Sequence, residues 1–430
     1  MEDRGVSLRP EPGRTVPGSG VSEEVGTPVN VLVVNCGSSS IKYSLFRMGE
    51  GGSAEVLASG IVERIGEAGS RIRHEAAGAA DVRDVDAPDH QAAFALVVEA
   101  LARGPGAVIC ELGDIDAVGH RCIHGAERFA ESTLIDEEVV AAIEACVPLA
   151  PLHNPPNLIG IRAAMAMMPD VPHVGVFDTA FHQTLPPHAF LYAVPYDLYT
   201  GHGIRRYGFH GTSHRYVSEA AAEMLGRPPA EVNVITAHLG NGCSITAVRG
   251  GASVDTSLGM TPLEGLVMGT RSGDIDPAIV FHLMRKLGMD ADEVDDLLNR
   301  RSGLLGLSGV SNDMREVLRA AEAGSGRAHL AVEVFCYRLK KYIGAYTAVL
   351  GRVDALVFTG GIGENSADIR SRTCAGLERL GYVLDAGRNA ADSRAPRDVA
   401  AADSPIRILV IPTDEEALIA RDTARLARGM

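Results

Sequence analysis

Val31-Leu32-Val33-Val34-Asn35-Cys36-Gly37-Ser38-Ser39-Ser40-Ile41-Lys42-Tyr43-Ser44-Leu45-Phe46 is the stretch from which the chain is best read. An apolar β-branched run enters a short polar tip, and an apolar-alternating run leaves it. That is the pattern of strand, tight loop and strand. Gly37 lets the backbone approach a ligand closely. Ser38, Ser39 and Ser40 add hydroxyl donors and Lys42 adds a point charge, a combination suited to a polyphosphate. A single Gly/Ser hairpin would be unremarked, but Val232 to Val248 repeats its grammar: an apolar strand, the tip Gly240-Asn241-Gly242, an alternating strand. The copies lie about 205 residues apart, too far for a solenoid period, and point to a duplicated domain.

The 430 residues suffice for two or three domains with their own cores. Hydrophobic content of 46% and charged content of 22% are those of a soluble globular protein. No apolar run reaches the roughly 20 residues of a membrane helix. The net charge of −15 argues against broad nucleic-acid binding. It leaves small anions open, because charge more distant than a screening length of about 8 Å is outweighed by a local cluster. Seven scattered cysteines without a C-x-x-C pair read as reduced thiols of a cytoplasmic protein. Only four of the 40 basic residues are lysines, so Lys42 marks a place where a compact ammonium is wanted.

Residues 1–28 hold four prolines, five glycines and no apolar h-region, and read as a disordered tail. Beyond it, strands are expected at 54–63, 71–76, 115–123, 172–177, 354–359 and 406–411. Helices are expected at 89–103, 136–146, 155–168, 211–225, 277–287, 290–300, 313–323, 327–350 and from 415. Alternating strands and helices make an α/β protein, with ligands at the strand ends. Three Gly-rich turns follow strands, at 35–40, 238–242 and 360–366. With no Gly-Lys pair and no G-x-G-x-x-G, neither a P-loop nor a dinucleotide fingerprint is present. Arg121, Asp178, His210 and Arg271 each sit in a polar turn near these loops, a set suited to phosphoryl chemistry. His120, Cys122 and His124 alternate on one strand face, but nothing nearby completes a metal ligand set.

The motifs N-x-G-S-S-S-x-K (35–42), G-H-R-x-x-H-G (119–125), A-P-L-H-N-P-P (150–156), F-D-T-A-F-H (177–182), Y-G-F-H-G-T-S-H (207–214), H-L-G-N-G (238–242), G-x-R-S-G-D-x-D-P (269–277) and G-G-I-G-E-N (360–365) together resemble the acetate kinase family. They occur in the family's order and span residues 29–428. The resemblance extends to the acetate/sugar kinase–Hsp70–actin superfamily. It implies two duplicated RNase-H-like (actin-like ATPase) domains flanking an ATP cleft. One would comprise 29–181 with 415–430 returned to it, the other 182–414, with homodimerisation through the second.

The resemblance also implies residue roles. Asn35 and Glu415 would hold Mg²⁺, with Mn²⁺ as a substitute. Ser38, Ser40 and Lys42 would face the phosphates. His238, Leu239, Gly240, Asn241 and Gly242 form the second phosphate loop. Asp313, Met314 and Arg315, with Gly361, Ile362, Gly363 and Asn365, would surround the nucleoside. Arg121 and Arg271 would hold acetate and the phosphoryl group, and Asp178 is the catalytic aspartate. His210 with Arg271 would stabilise the transition state, His153 would line the acetate site, and Ile123, Leu152, Phe209 and Pro262 would form a pocket for the methyl group. The implied activity is reversible transfer of the ATP γ-phosphoryl group to acetate, giving acetyl phosphate and ADP. Rival readings are a propionate or short-chain fatty acid kinase, a pyrophosphate-dependent variant, and a non-catalytic ATP-gated hinge. Four positions depart from the family's pattern: Ala126 where Gly is frequent, Asp414 where Asn is frequent, Cys36 where Ala is frequent, and Ile123 where Val is frequent, the larger side chain narrowing the implied pocket in favour of acetate over propionate.

Overall fold

The computed structural model describes residues 27–104, 106–151 and 153–429. The expected tail lies, through residue 26, outside the described residues, and so does Leu152.

The opening stretch forms β1 (Val29–Cys36) and β2 (Ser40–Met48), an antiparallel pair closed by the Gly37 amide donating to the Ser40 carbonyl over 2.8 Å. Apolar residues occupy both faces of β1 because both faces are covered. Val31 and Val33 join Ile419, Ala420 and Ala424 of the last helix, Glu415–Arg428. Leu32 and Val34 join Phe94, Val97 and Leu101 of the helix His90–Ala102, which starts where Asp89 accepts from the Ala92 amide. The chain adds β3 (Ala54–Glu63), β4 (Arg71–Ala76), β5 (Ala79–Asp84), β6 (Ala117–Cys122), β7 (Thr133–Leu134) and β8 (His173–Phe177). These eight strands form one sheet in the order β5-β4-β3-β2-β1-β6-β8-β7.

The second sheet repeats the plan. It contains β9 (Asn233–Leu239), β10 (Cys243–Arg249), β11 (Ala252–Thr256), β12 (Ala355–Thr359), β13 (Arg397–Asp398) and β14 (Arg407–Val410), in the order β11-β10-β9-β12-β14-β13. An antiparallel meander, β3-β2-β1 or β11-β10-β9, is followed by two parallel strands, β6 and β8 or β12 and β14. The shared hairpin grammar thus extends to a shared topology. The parallel strands of both sheets end toward one cleft, where ligand loops belong in such sheets.

Several elements have no counterpart in the sequence reading. β5 is an edge strand with almost every residue exposed, so no alternation marks it. The short helices Pro187–Phe190, Asp197–His202 and Gly303–Ser308 have too few residues to show a period. His120, Cys122 and His124 do not converge. His120 Nε2 lies 3.0 Å from His173 Nδ1, Cys122 is buried, and His124 packs edge-on to Tyr207 and Phe209 beyond the strand. Among the described residues, no three His, Cys, Asp or Glu side chains are placed to hold a metal.

The last helix is clasped to the helix Gly211–Met224. Arg215 Nη1 and Nη2 donate to Asp422 Oδ2 (2.7 Å) and Oδ1 (3.0 Å), and Ser132 Oγ donates to Asp422 Oδ2 over 2.6 Å. Burial pushes the Asp422 carboxyl up, but the Arg215 hydrogen bonds and charge outweigh it and hold the pKa below the usual range. A lowered folded pKa gives stability that is complete above the unfolded value, about 3.9, and is lost as pH falls through the folded value. Asp422→Asn is therefore expected to cost about 2–3 kcal/mol at pH 7. The difference in urea midpoint between wild type and variant should shrink below about pH 4. An equal difference at both pH values would mean that the carboxylate charge does not carry the clasp.

Candidate active site

Loops from both sheets line a cavity of about 620 Å³ that includes Asn35, Ser38, Ser40, Arg121, Ile123, His153, Asp178, Phe209, His210, Pro262 and Arg271. The four residues singled out for phosphoryl chemistry are therefore brought together from positions 150 residues apart. Arg121 is the penultimate residue of β6, opposite Val176 of β8, and meets Asp178, just past the end of β8, as a fork on a fork. Its Nε donates to Oδ1 over 3.1 Å and its Nη2 to Oδ2 over 2.7 Å. Arg121 Nη2 also lies 3.6 Å from Glu415 Oε2. Burial opposes the Arg121 charge, yet Asp178 and Glu415 outweigh it and hold the guanidinium protonated. Burial lifts the Asp178 pKa, against the pull of Arg121. Thr212 Oγ1 donates to Glu415 Oε2 over 2.9 Å and lies 3.4 Å from Asp178 Oδ1, joining the two carboxylates across the sheets.

Arg271 differs from Arg121 in having no carboxylate partner among the described residues. Its Nη1 donates to the Pro262 carbonyl over 3.1 Å, and burial pulls its pKa down. An unpaired, partly buried cation is costly, so the site is built to receive an anion. Gly242 lies between the Arg271 and His210 side chains: a Cβ there would stand in contact with both, 3.4 Å from His210 Cε1 and 3.5 Å from Arg271 Nη1.

His210 has φ +57°, a left-handed conformation immediately before the helix Gly211–Met224. Its ring stacks on His238 with centroids 4.4 Å apart, and its Nδ1 lies 2.8 Å from Ser244 Oγ. Burial, then His238, His214 and the two arginines, hold it well below the usual histidine pKa, so the ring is neutral at pH 7. Burial, Arg271 and Arg121 likewise lower His153. Ile123, Phe209 and Pro262 form an apolar wall beside the arginines, and Ile123 packs against the core of the second sheet. Ala126, at the position where glycine is frequent in the resembled pattern, has φ +50°, a conformation that glycine adopts without strain.

Two neighbouring cavities complete the cleft. One of about 740 Å³ is lined by Gly240, Asn241, Asp313, Met314, Arg315, Gly361, Ile362 and Asn365. Asp313 caps the helix Met314–Glu322, and Arg315 bonds to it and draws its pKa down to about 2. Leu239 and Gly363 do not face this cavity. Leu239 is core, and the Gly363 carbonyl accepts from the buried Arg370 over 2.8 Å. The other cavity, about 280 Å³, is lined by Asn35, Lys42, Arg121, Thr413, Asp414, Glu415 and Glu416.

The sequence reading missed residues that brace this site. Asn157 Nδ2 donates to the Cys36 carbonyl and its Oδ1 accepts from the Ile123 amide, each over 3.0 Å, tying two loops together. Asn312 Nδ2 donates to Asn241 Oδ1 over 2.9 Å. Thr212 and His214 lay inside a quoted motif that assigned them nothing, and Asn157 had no local signal.

Residues 30–421 match the Acetokinase family. The chain is 55% identical to the acetate kinase of Streptomyces avermitilis over 93% of its own length and 98% of that protein. Among solved structures, acetate kinase from Porphyromonas gingivalis superposes with a TM-score of 0.89 at 48% identity, covering 93% of this chain and 99% of that one. A propionate kinase from Francisella tularensis superposes with a TM-score of 0.85 at 44% identity, covering 92% and 99%.

Proposed function

Because the chain belongs to the acetokinase family, we propose that it is an acetate kinase, transferring the γ-phosphoryl group of ATP reversibly to acetate. The observation that carries this reading is Arg271, a half-buried cation with no carboxylate partner among the described residues, facing His210 beside an apolar wall.

Acetate is ionised at neutral pH and needs no general base. It must approach another anion, and two unit charges 4 Å apart repel by about 4 kcal/mol at an effective dielectric of 20. Neutralisation and alignment are therefore the work of the site. Asp178 fixes the Arg121 fork, which is left to grip a carboxylate or phosphoryl oxygen through its free edge. Arg271 binds the second set of oxygens. His210 donates to an equatorial oxygen of the transferring group, and the methyl group rests on Ile123, Phe209 and Pro262, with Leu152 completing the pocket by family position. The nucleoside occupies the 740 Å³ cavity, with its phosphates running past Gly240, Asn241 and Gly242 toward Ser38, Ser40 and Lys42.

Mg²⁺ suits the 280 Å³ cavity. Glu415 Oε1 and the Asn35 side chain make no hydrogen bond among the described residues, and two hard oxygen donors plus phosphate oxygens and water satisfy this ion. The bound cation would offset charge on the leaving oxygens. The helix Ala278–Leu287 has no buried residue, and Ile279, Phe281, Met284 and Leu287 stand exposed on it, which supports a homodimer through the second half of the chain. Among the described residues no helix is long and apolar enough to cross a membrane, in keeping with a cytoplasmic enzyme.

Purified protein with Mg-ATP and acetate should form acetyl phosphate, trapped as its hydroxamate. kcat/KM across C2 to C4 acids should be highest for acetate, and a maximum at propionate or butyrate would replace this reading. Inversion at a chiral γ-phosphate is expected for direct in-line transfer, whereas retention requires a phosphorylated carboxylate intermediate. Ile123→Ala opens the methyl pocket and is expected to raise the propionate-to-acetate ratio of kcat/KM by about tenfold, since one methylene discriminates by about 1–3 kcal/mol. An unchanged ratio would remove Ile123 from the pocket.

A further inference from the structure

His210 stands at one end of a chain of four side chains. Its Nδ1 lies 2.8 Å from Ser244 Oγ, which lies 2.7 Å from His214 Nε2. His214 Nδ1 in turn lies 2.7 Å from Thr236 Oγ1. Ser244, His214 and Thr236 are fully buried. Burial first, with the His182 and His238 rings beside His214 and the neighbouring rings and two arginines beside His210, holds both rings neutral, so each carries one proton on one of its two nitrogens.

Every link needs one proton. An order in which Ser244 accepts from both histidines would leave its buried hydroxyl proton without an acceptor, since Ser244 Oγ has no other partner among the described residues. With Ser244 passing its proton along the chain, two orders remain. In the first, Thr236 donates to His214 Nδ1, His214 Nε2–H donates to Ser244, and Ser244 donates to His210 Nδ1. The proton of His210 then sits on Nε2. In the second, every bond is reversed: His210 Nδ1–H donates to Ser244, Ser244 to His214 Nε2, and His214 Nδ1–H to Thr236. The Thr236 hydroxyl proton then needs a further acceptor. Among the described residues Thr236 Oγ1 has no side-chain or backbone partner other than His214. A buried hydroxyl proton left unpaired biases the equilibrium against the second order by about tenfold or more. The Nε2 of His210, by contrast, makes no hydrogen bond among the described residues and faces Gly242 and Arg271 in the cleft.

We propose that Thr236, His214 and Ser244 are positioning residues that order this relay and hold His210 as the tautomer protonated at Nε2, pointing that proton at the reacting group. The order of the relay stands on geometry, and its service to a phosphoryl group rests on the kinase reading above. Through this relay a fully buried threonine on β9, which lines none of the three cleft cavities, bears on the chemistry. It contributes the one proton whose direction is not free.

The test is long-range proton–nitrogen NMR of protein labelled with ¹⁵N in its histidine rings, with the His210 signals assigned by their loss in His210→Gln. The expected result is that His210 and His214 both carry their proton on Nε2, with Nδ1 unprotonated. A proton on Nδ1 of His210 overturns the proposal. Thr236→Val removes only the terminal donor and should give mixed tautomer signals at His210 as well as His214. It should lower kcat about three- to tenfold, leave KM for ATP and acetate unchanged, and be recovered by Thr236→Ser. Unaltered His210 signals in Thr236→Val overturn the relay. Tautomers that shift with no change in kcat overturn the link between His210 and the phosphoryl group, while the acyl phosphate assay separately decides the kinase reading.

Discussion

Arg271→Ala is expected to lower kcat for acetyl phosphate formation by about 10³–10⁵-fold, the range over which a single arginine acts on a transferring phosphoryl group. The size follows from the environment of the residue. Arg121 is already committed to Asp178 through two hydrogen bonds, whereas Arg271 donates only to the Pro262 carbonyl and a nearby methionine sulfur. Its charge is thus uncompensated until an anion arrives. Arg271→Lys should recover little, because a lysine presents a point charge in place of a planar fork. The same reasoning gives the opposite sign for stability. Removing a half-buried, unpaired cation relieves a desolvation cost, so the thermal midpoint of the ligand-free variant should hold or rise. A variant less than tenfold impaired, or one that loses both activity and thermal stability, would place Arg271 in the scaffold instead of the reaction.

Removal of the His210 side chain is expected to lower kcat by about 10²–10³-fold, the effect of deleting one preorganised donor at a site of developing charge. The choice of variant matters. His210 has φ +57°, a strain that any residue with a Cβ bears, so alanine removes the ring and leaves that strain in place. His210→Gly removes the ring and also relieves the strain, so agreement between the two variants isolates the effect of the ring. Since burial and the neighbouring histidines and arginines hold the ring neutral, the wild-type pH–rate profile should show no limb from this group near 6.5. A kcat within threefold of wild type in His210→Gly would show that the ring shapes the cleft without acting on the phosphoryl group.

Much of the fold was legible because its signals are local. The two hairpins announce themselves through β-branched runs broken by Gly, Asn and Ser. Helix starts at 89 and 290 announce themselves through aspartates that accept from the third amide onward. Ranges such as Ala54–Glu63 and Arg71–Ala76 coincide with the expected strands because alternation and turn residues bound them on both sides. β5 escaped notice for the converse reason: as an exposed edge strand it carries no buried set to alternate with. The candidate site was legible in a different way, through motifs that gather polar residues at strand ends, and Arg121, Asp178, His210 and Arg271 do meet in one cavity.

The sequence by itself determined that there are two copies of one hairpin, that both belong to an α/β scaffold, and which residue types stand at the strand exits. These are properties of neighbours in the chain, fixed by backbone sterics and by the period of burial. Only the tertiary structure decided which of those residues are already paired and which are free. The Arg121–Asp178 fork, the solitary charge of Arg271, the Asn157 brace and the Arg215–Asp422 clasp each join positions tens to hundreds of residues apart. So does the direction of a proton at His210, fixed three hydrogen bonds away at Thr236. A hydrogen bond or an ion pair depends on the separation and orientation of two groups in space, and no local pattern along the chain encodes that separation.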